Sequence, residues 1–154
     1  MKTFIKNKRG FSLLELIFTI SLISILGLSV VSSSNTSDPT VQSAMLKVVS
    51  DIRFAQDRAI ITGVNHGFRT ISATQYEIYQ LTPGNPVNDP STSAPMQISL
   101  YQDYKNVNFA RNYQVEFNSY GQPVLGGGLA VNLSKDSSSR TFTVTNNTGL
   151  IILP

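Results

Sequence analysis

The sequence predicts an α+β chain, with a long N-terminal helix, membrane-spanning in its first half and amphipathic in its second, packed on an antiparallel β-sheet. Three observations predict it. Phe11 to Val31 is a run of 21 residues with a single charge, Glu15. Between Val41 and Ala59 apolar residues recur at spacings of three and four. Beyond Gly63 the apolar spacing falls to two, the period of a half-buried strand.

The apolar run sets the organisation. At about 1.5 Å per residue, a helix of that length spans roughly 30 Å, the hydrocarbon thickness of a bilayer. Lys2, Lys6, Lys8 and Arg9 precede it and hold four of the twelve basic residues. By the positive-inside rule they keep the leader cytoplasmic and place the body across the membrane in a single pass. Residues 1–10 are therefore a basic leader, 11–33 a membrane helix and 34–154 a globular body. From Asn35 onward eight basic residues face eight acidic ones, so the net charge of +3 belongs to the leader and the body is neutral. Charged residues make up 14% of the chain, against about a quarter in soluble domains.

Glu15 discriminates between three readings of the run. A secretory signal peptide has a shorter apolar core and a small-residue cleavage site, with no place for an acid near its start. A plain anchor fits the length but leaves Glu15 as an uncompensated cost in the bilayer. Cleavage between Gly10 and Phe11 gives the carboxylate a role: it creates an α-amine at Phe11, one helical turn from Glu15. Glu15 then neutralises an amine, its own or a neighbour's, inside an apolar bundle where a charge is tolerated only when paired.

In the body, Asp38 reads as an N-cap with Pro39 at the first helical position, and Gly63 as a C-cap. Val41, Ala44, Met45, Val48, Ile52, Ala55 and Ala59 form one apolar stripe, expected to pack on a sheet. Asp51, Arg53, Gln56, Asp57 and Arg58 are expected mostly off it. Strands are expected at 64–70, 75–81, 97–100, 114–118, 129–133, 140–145 and 150–153, with a turn at 119–123 and a hairpin connection at 146–149. Residues 82–95, with four prolines, read as a long polar loop. The Ser-rich stretch 32–40 is the expected weak point between the two helical halves.

Catalytic chemistry finds few residues to use. There is no cysteine and one histidine, His66, which reads as a satisfied or solvent-facing strand residue. No metal site, cofactor site or nucleophile–base pair assembles from what remains. The Gly126-Gly127-Gly128 run lacks a following helix and reads as a bulge or flexible loop, not a phosphate cradle.

The N-terminus GFSLLEL resembles the class III signal of type IV pilins and type II secretion pseudopilins, usually GFTLxEL. The basic leader with Lys6, Lys8 and Arg9, then Gly10, Phe11, Ser12, Leu13 and Glu15, matches it by position. The resemblance implies a pilin-like fold and a structural subunit, not an enzyme. It implies that a prepilin peptidase cuts after Gly10 and methylates the new amine of Phe11, and that Glu15, fifth in the mature chain, promotes docking in a filament. The implied partners are other pilin or pseudopilin subunits, the peptidase and an inner-membrane assembly platform. The implied location is the inner membrane, with the body in the periplasm, and then the pilus or pseudopilus. Many major pilins carry a proline within the apolar segment; here the first is Pro39.

DIRFAQDRAIITG (51–63), VEFNSYGQPV (115–124) and TFTVTNNTGLIIL (141–153) resemble minor subunits of the GspH/FimT type and of MSHA pilus biogenesis. Some FimT-like minor pilins bind DNA through basic residues near the C-terminus. Lys135 and Arg140, around a Ser-rich turn, are the matching candidates, disfavoured by the neutral body and the lack of a G-R-x-R pair.

Overall fold

The computed structural model describes residues 12–31 and 38–153, with side chains omitted for 25–31. The leader residues Lys6, Lys8, Arg9 and Gly10, the expected new terminus Phe11, and residues 32–37 of the expected weak point lie outside the described residues. The chain divides into two compact units, at residues 1–36 and 37–154.

The first unit contains α1 (Leu13–Val31). The second opens with α2 (Pro39–Thr62), whose ends are those the sequence predicts. The Asp38 carboxylate accepts from the Thr40 amide at 2.8 Å. Pro39 starts the helix where no amide hydrogen is required. Gly63 adopts the left-handed conformation, φ 72°, and its N–H donates to the Ala59 carbonyl.

The strands follow: β1 (His66–Ser72), β2 (Gln75–Gln80), β3 (Gln97–Ser99), then a short helix α3 (Leu100–Tyr104), β4 (Asn108–Phe109), β5 (Gln114–Phe117), β6 (Pro123–Leu125), β7 (Ala130–Lys135), β8 (Ser138–Val144) and β9 (Ile151–Ile152). All the pairings among them are antiparallel, but they form two sheets where the sequence suggested one. The first has the order β3-β2-β1-β5-β6 and the second β4-β7-β8-β9. The glycine run 126–128 crosses between them. It is packed, not flexible: Gly128 has φ +77° and donates to the Val144 carbonyl, and a Cβ at Gly127 would lie 3.0 Å from the Asn146 carbonyl oxygen. α3, β4 and β6 are elements the apolar period did not reveal.

α2 packs on both sheets. Its whole predicted stripe, Val41 through Ala59, is buried, and meets Phe68, Ile78, Val115, Phe117, Leu133, Phe142 and Val144 in one core. Four aromatic rings knit this core to β4: Phe68 lies 5.3 Å from Tyr76 and 6.0 Å from Phe109, and Phe109 lies 6.1 Å from Tyr113. Such pairs add to the area they bury by about 0.5–1.5 kcal/mol each.

Two expectations are corrected. Asp51 was placed off the stripe, yet is only 4% exposed. It stands three residues after Val48 and four before Ala55, so helical geometry carries it onto the buried face. The alternation expected in YEIYQL is also lost, because Tyr76, Glu77, Ile78 and Tyr79 are all buried. Glu77 is covered by the Gly84 amide, Arg69 and Gln97, and Tyr79 by Glu116 and Gln114, while residues 82–95 fold back along the edge of β2. Val87 donates to the Ile78 carbonyl at 2.8 Å, Met96 to Val87 at 2.7 Å, and Asp89 to Ala94 at 2.8 Å. The expected loop is an ordered ribbon with isolated bridges Tyr79↔Pro86 and Asn88↔Pro95.

Candidate functional site

α1 carries the residues on which the sequence places function. The Ser12 carbonyl accepts from the amides of Glu15 (3.0 Å) and Leu16 (3.1 Å), so the first turn closes on Ser12 and Glu15 sits within it. A carboxylate there complements the positive end of the helix dipole. The hydroxyls of Thr19, Ser21 and Ser24 turn back to the carbonyls of Leu16, Ile17 and Ile20 at 2.8–2.9 Å. The polar atoms of the helix are thereby satisfied internally, and its outer surface is left to Leu13, Leu14, Leu16, Ile17, Phe18, Ile20, Leu22 and Ile23, all exposed. A helix apolar on every side needs an apolar surrounding: lipid, or other helices. Glu15 finds no hydrogen-bond or ion-pair partner among the described residues. Among the described residues no helix is long and apolar enough to cross a membrane.

The acids of the body are held differently. Asp51 accepts from the Tyr76 hydroxyl on Oδ2 at 2.6 Å, and Lys47 Nζ donates to both of its oxygens, at 2.6 Å to Oδ1 and 2.8 Å to Oδ2. Burial, and then the Asp51 charge, push the Tyr76 hydroxyl far above its ordinary value. Glu77 accepts from Arg69 Nε (2.6 Å), the Gly84 amide (2.7 Å) and Gln97 Nε2 (3.2 Å). Burial pushes its carboxyl up, but these three donors outweigh burial and hold it below its ordinary value. Glu116 accepts from Asn65 and from Tyr79, and the Tyr79 hydroxyl in turn accepts from Gln114. Burial is the main force that drives Tyr79 up to about 12.

The Asp51 cluster ties α2 to β2, and the Glu77 and Glu116 clusters tie neighbouring strands and loops together. Among the described residues no group of three metal-ligating side chains forms. His66 is buried, with Nδ1 2.9 Å from the Val64 carbonyl; burial depresses its basicity, and Arg58 adds to the effect.

The two nucleic-acid candidates are placed on adjacent strands of the β7–β8 hairpin. Lys135 donates to Asp38 Oδ2 at 2.8 Å, a partner 97 residues away in sequence. That bond first, then those from Thr40, hold the Asp38 carboxyl at about 2. Arg140 stands opposite Leu133, with its Nε buried and without a hydrogen-bond partner among the described residues. The Asp38–Lys135 tie and the burial of Asp51 are absent from the sequence reading. Helical spacing alone would have placed Asp51 on the stripe.

Residues 5–31 match the prokaryotic N-terminal methylation motif. No curated protein matches the chain in sequence. Two crystal forms of the type IV minor pilin FimU of Pseudomonas aeruginosa resemble the structure. One is 14% identical with a TM-score of 0.53, covering 73% of this chain and 91% of that one. The other is 13% identical with a TM-score of 0.52, covering 74% and 87%. A likeness at such low identity defines the fold alone, and the fold is pilin-like. The chain thus carries an N-terminal methylation motif ahead of a body whose fold is similar to that of a type IV minor pilin.

Proposed function

We propose that this chain is a minor type IV pilin or pseudopilin of the GspH/FimT or MSHA-biogenesis type. It is cleaved between Gly10 and Phe11, methylated on the Phe11 amine, and assembled through α1 into a pilus or secretion pseudopilus. Before assembly the apolar run holds it in the inner membrane with the body in the periplasm. Its partners are other pilin subunits, the prepilin peptidase and the inner-membrane platform. The observation that carries this reading is an exposed helix, apolar on every side, with one acid in its first turn, behind a methylation motif.

The mechanism follows from Glu15. In a bundle of such helices a lone carboxylate is costly. The terminal amine of a neighbouring Phe11 offsets that cost only when the helices are staggered to bring the two together, so the pair sets the register of docking.

The test is the mass of the mature chain and the composition of sheared filaments. Wild type loses residues 1–10 and gains one methyl group; Gly10→Val retains the leader. Glu15→Ala is cleaved but depleted from filaments. Normal incorporation of Glu15→Ala would remove the role given to Glu15, and an intact Met1 in cells carrying the peptidase would remove the whole reading.

Uptake of DNA through Lys135 and Arg140 is the weaker alternative. Lys135 is committed to Asp38, and the body has no net positive charge to neutralise phosphates. A low-salt gel shift with the full-length chain in detergent tests it, and a shift abolished by Lys135→Ala and Arg140→Ala would revive it.

A further inference from the structure

We infer that the β7–β8 turn is a latch on the start of α2, pinning the point at which the chain enters the body. Three contacts converge on Asp38. Its carboxylate accepts from the Thr40 amide at 2.8 Å and from Lys135 Nζ at 2.8 Å, and its own N–H donates to Ser138 Oγ at 3.4 Å. The first is an ordinary helix cap. The other two come from the two ends of the tightest turn in the second sheet, where Lys135 pairs with Ser138 and Asp136 takes the left-handed conformation.

Asp38 is also where α2 is obliged to stop. Its backbone, φ −53° and ψ 116°, is non-helical. Pro39 favours that conformation in the residue before it. The amides of Thr40, Val41 and Gln42 all bond to Asp38 atoms, so the first turn of α2 holds only while Asp38 stays in place. Apolar burial adds little there: Pro39 and Ser43 are exposed, and Val41 is the one buried side chain of the turn. Lys135 and Ser138 supply what the turn lacks, by fastening it to a strand pair with six residues in register.

The mechanical consequence rests on the assembly reading above, whereas the latch does not. In a subunit held by α1, any pull on the body arrives through residue 38. With the latch closed, that pull is shared between α2 and the second sheet. With it open, the first turn of α2 peels away first.

Hydrogen–deuterium exchange on the full-length chain in detergent micelles, read on peptides covering 38–45 and 48–59, tests the latch without reference to processing or filaments. Lys135→Met should raise exchange at 40–42 by about two- to five-fold and leave 48–59 unchanged. Lys135→Arg should restore protection. Asp38→Asn, which keeps a capping oxygen but loses the charge, should behave as Lys135→Met does. Unchanged exchange at 40–42 in both Lys135→Met and Asp38→Asn overturns the latch. So does an equal rise across 48–59, which would make the pair a global tie.

Discussion

The two units treat an acidic side chain in opposite ways. In the body, Asp51, Glu77 and Glu116 each accept two or more hydrogen bonds from groups brought together by the fold. In α1, Glu15 stands on a helix whose own hydroxyls are turned inward and whose outer surface is apolar. These three acids finish their chemistry when the chain folds. Glu15 has no such partner among the described residues. Under the proposed function, the difference separates groups that stabilise a monomer from a group that drives assembly.

The contrast is broken most severely in the body. Phe68→Ala empties a site against Tyr76 and Phe109, and should cost about 3–5 kcal/mol in urea unfolding. Glu77→Ala leaves Arg69, the Gly84 amide and Gln97 without their shared acceptor, at a cost of about 1.5–3 kcal/mol. It should also release the Gly84 amide to exchange, which Phe68→Ala should not do selectively. Tyr76→Phe removes one donor to a charged acceptor and should cost about 1.5–3 kcal/mol.

A smaller effect is expected from His66. Its basicity is depressed in the fold relative to 6.5 in the unfolded chain. The unfolded chain therefore takes up the proton first, so stability is fully present above that value and declines as pH falls below it. The melting temperature should drop from about pH 7.5 to about pH 5.5, and His66→Gln should flatten that slope. The smallest effect tests the other side of the contrast. Phe18→Ala, on the exposed face of α1, should leave body unfolding within about 0.5 kcal/mol of wild type, while lowering filament incorporation.

What was legible in the sequence was what depends on near neighbours. Asp38-Pro39 and Gly63 mark α2 because caps are decided within four residues. The apolar stripe is read correctly because the helix imposes its own period, and the methylation motif because it is contiguous. Reading failed where the deciding partner is distant. Residues 82–95 have the composition of a loop, and their order is imposed by Glu77 and Ile78 on a strand already built. The chain passes from the first sheet to the second at Gly126–Gly128, where the distant Asn146 leaves no room for a Cβ at Gly128. β4, with two residues, and β6, with three, are too short to show a period. Lys135 was considered only as a free cation, since nothing local indicates that Asp38 holds it.

The ribbon along β2 also has a practical side. Its stem is closed by Val87, Met96 and the Asn88↔Pro95 bridge, while its apex, Ser91 to Ala94, is exposed and held by Asp89, whose carboxylate accepts from Ser91 and Thr92. A guest peptide spliced between Ser91 and Thr92 would ride on a stem already fastened at its base. That apex is the place to display a tag, a dye or an epitope without touching α1 or the core that folds the body.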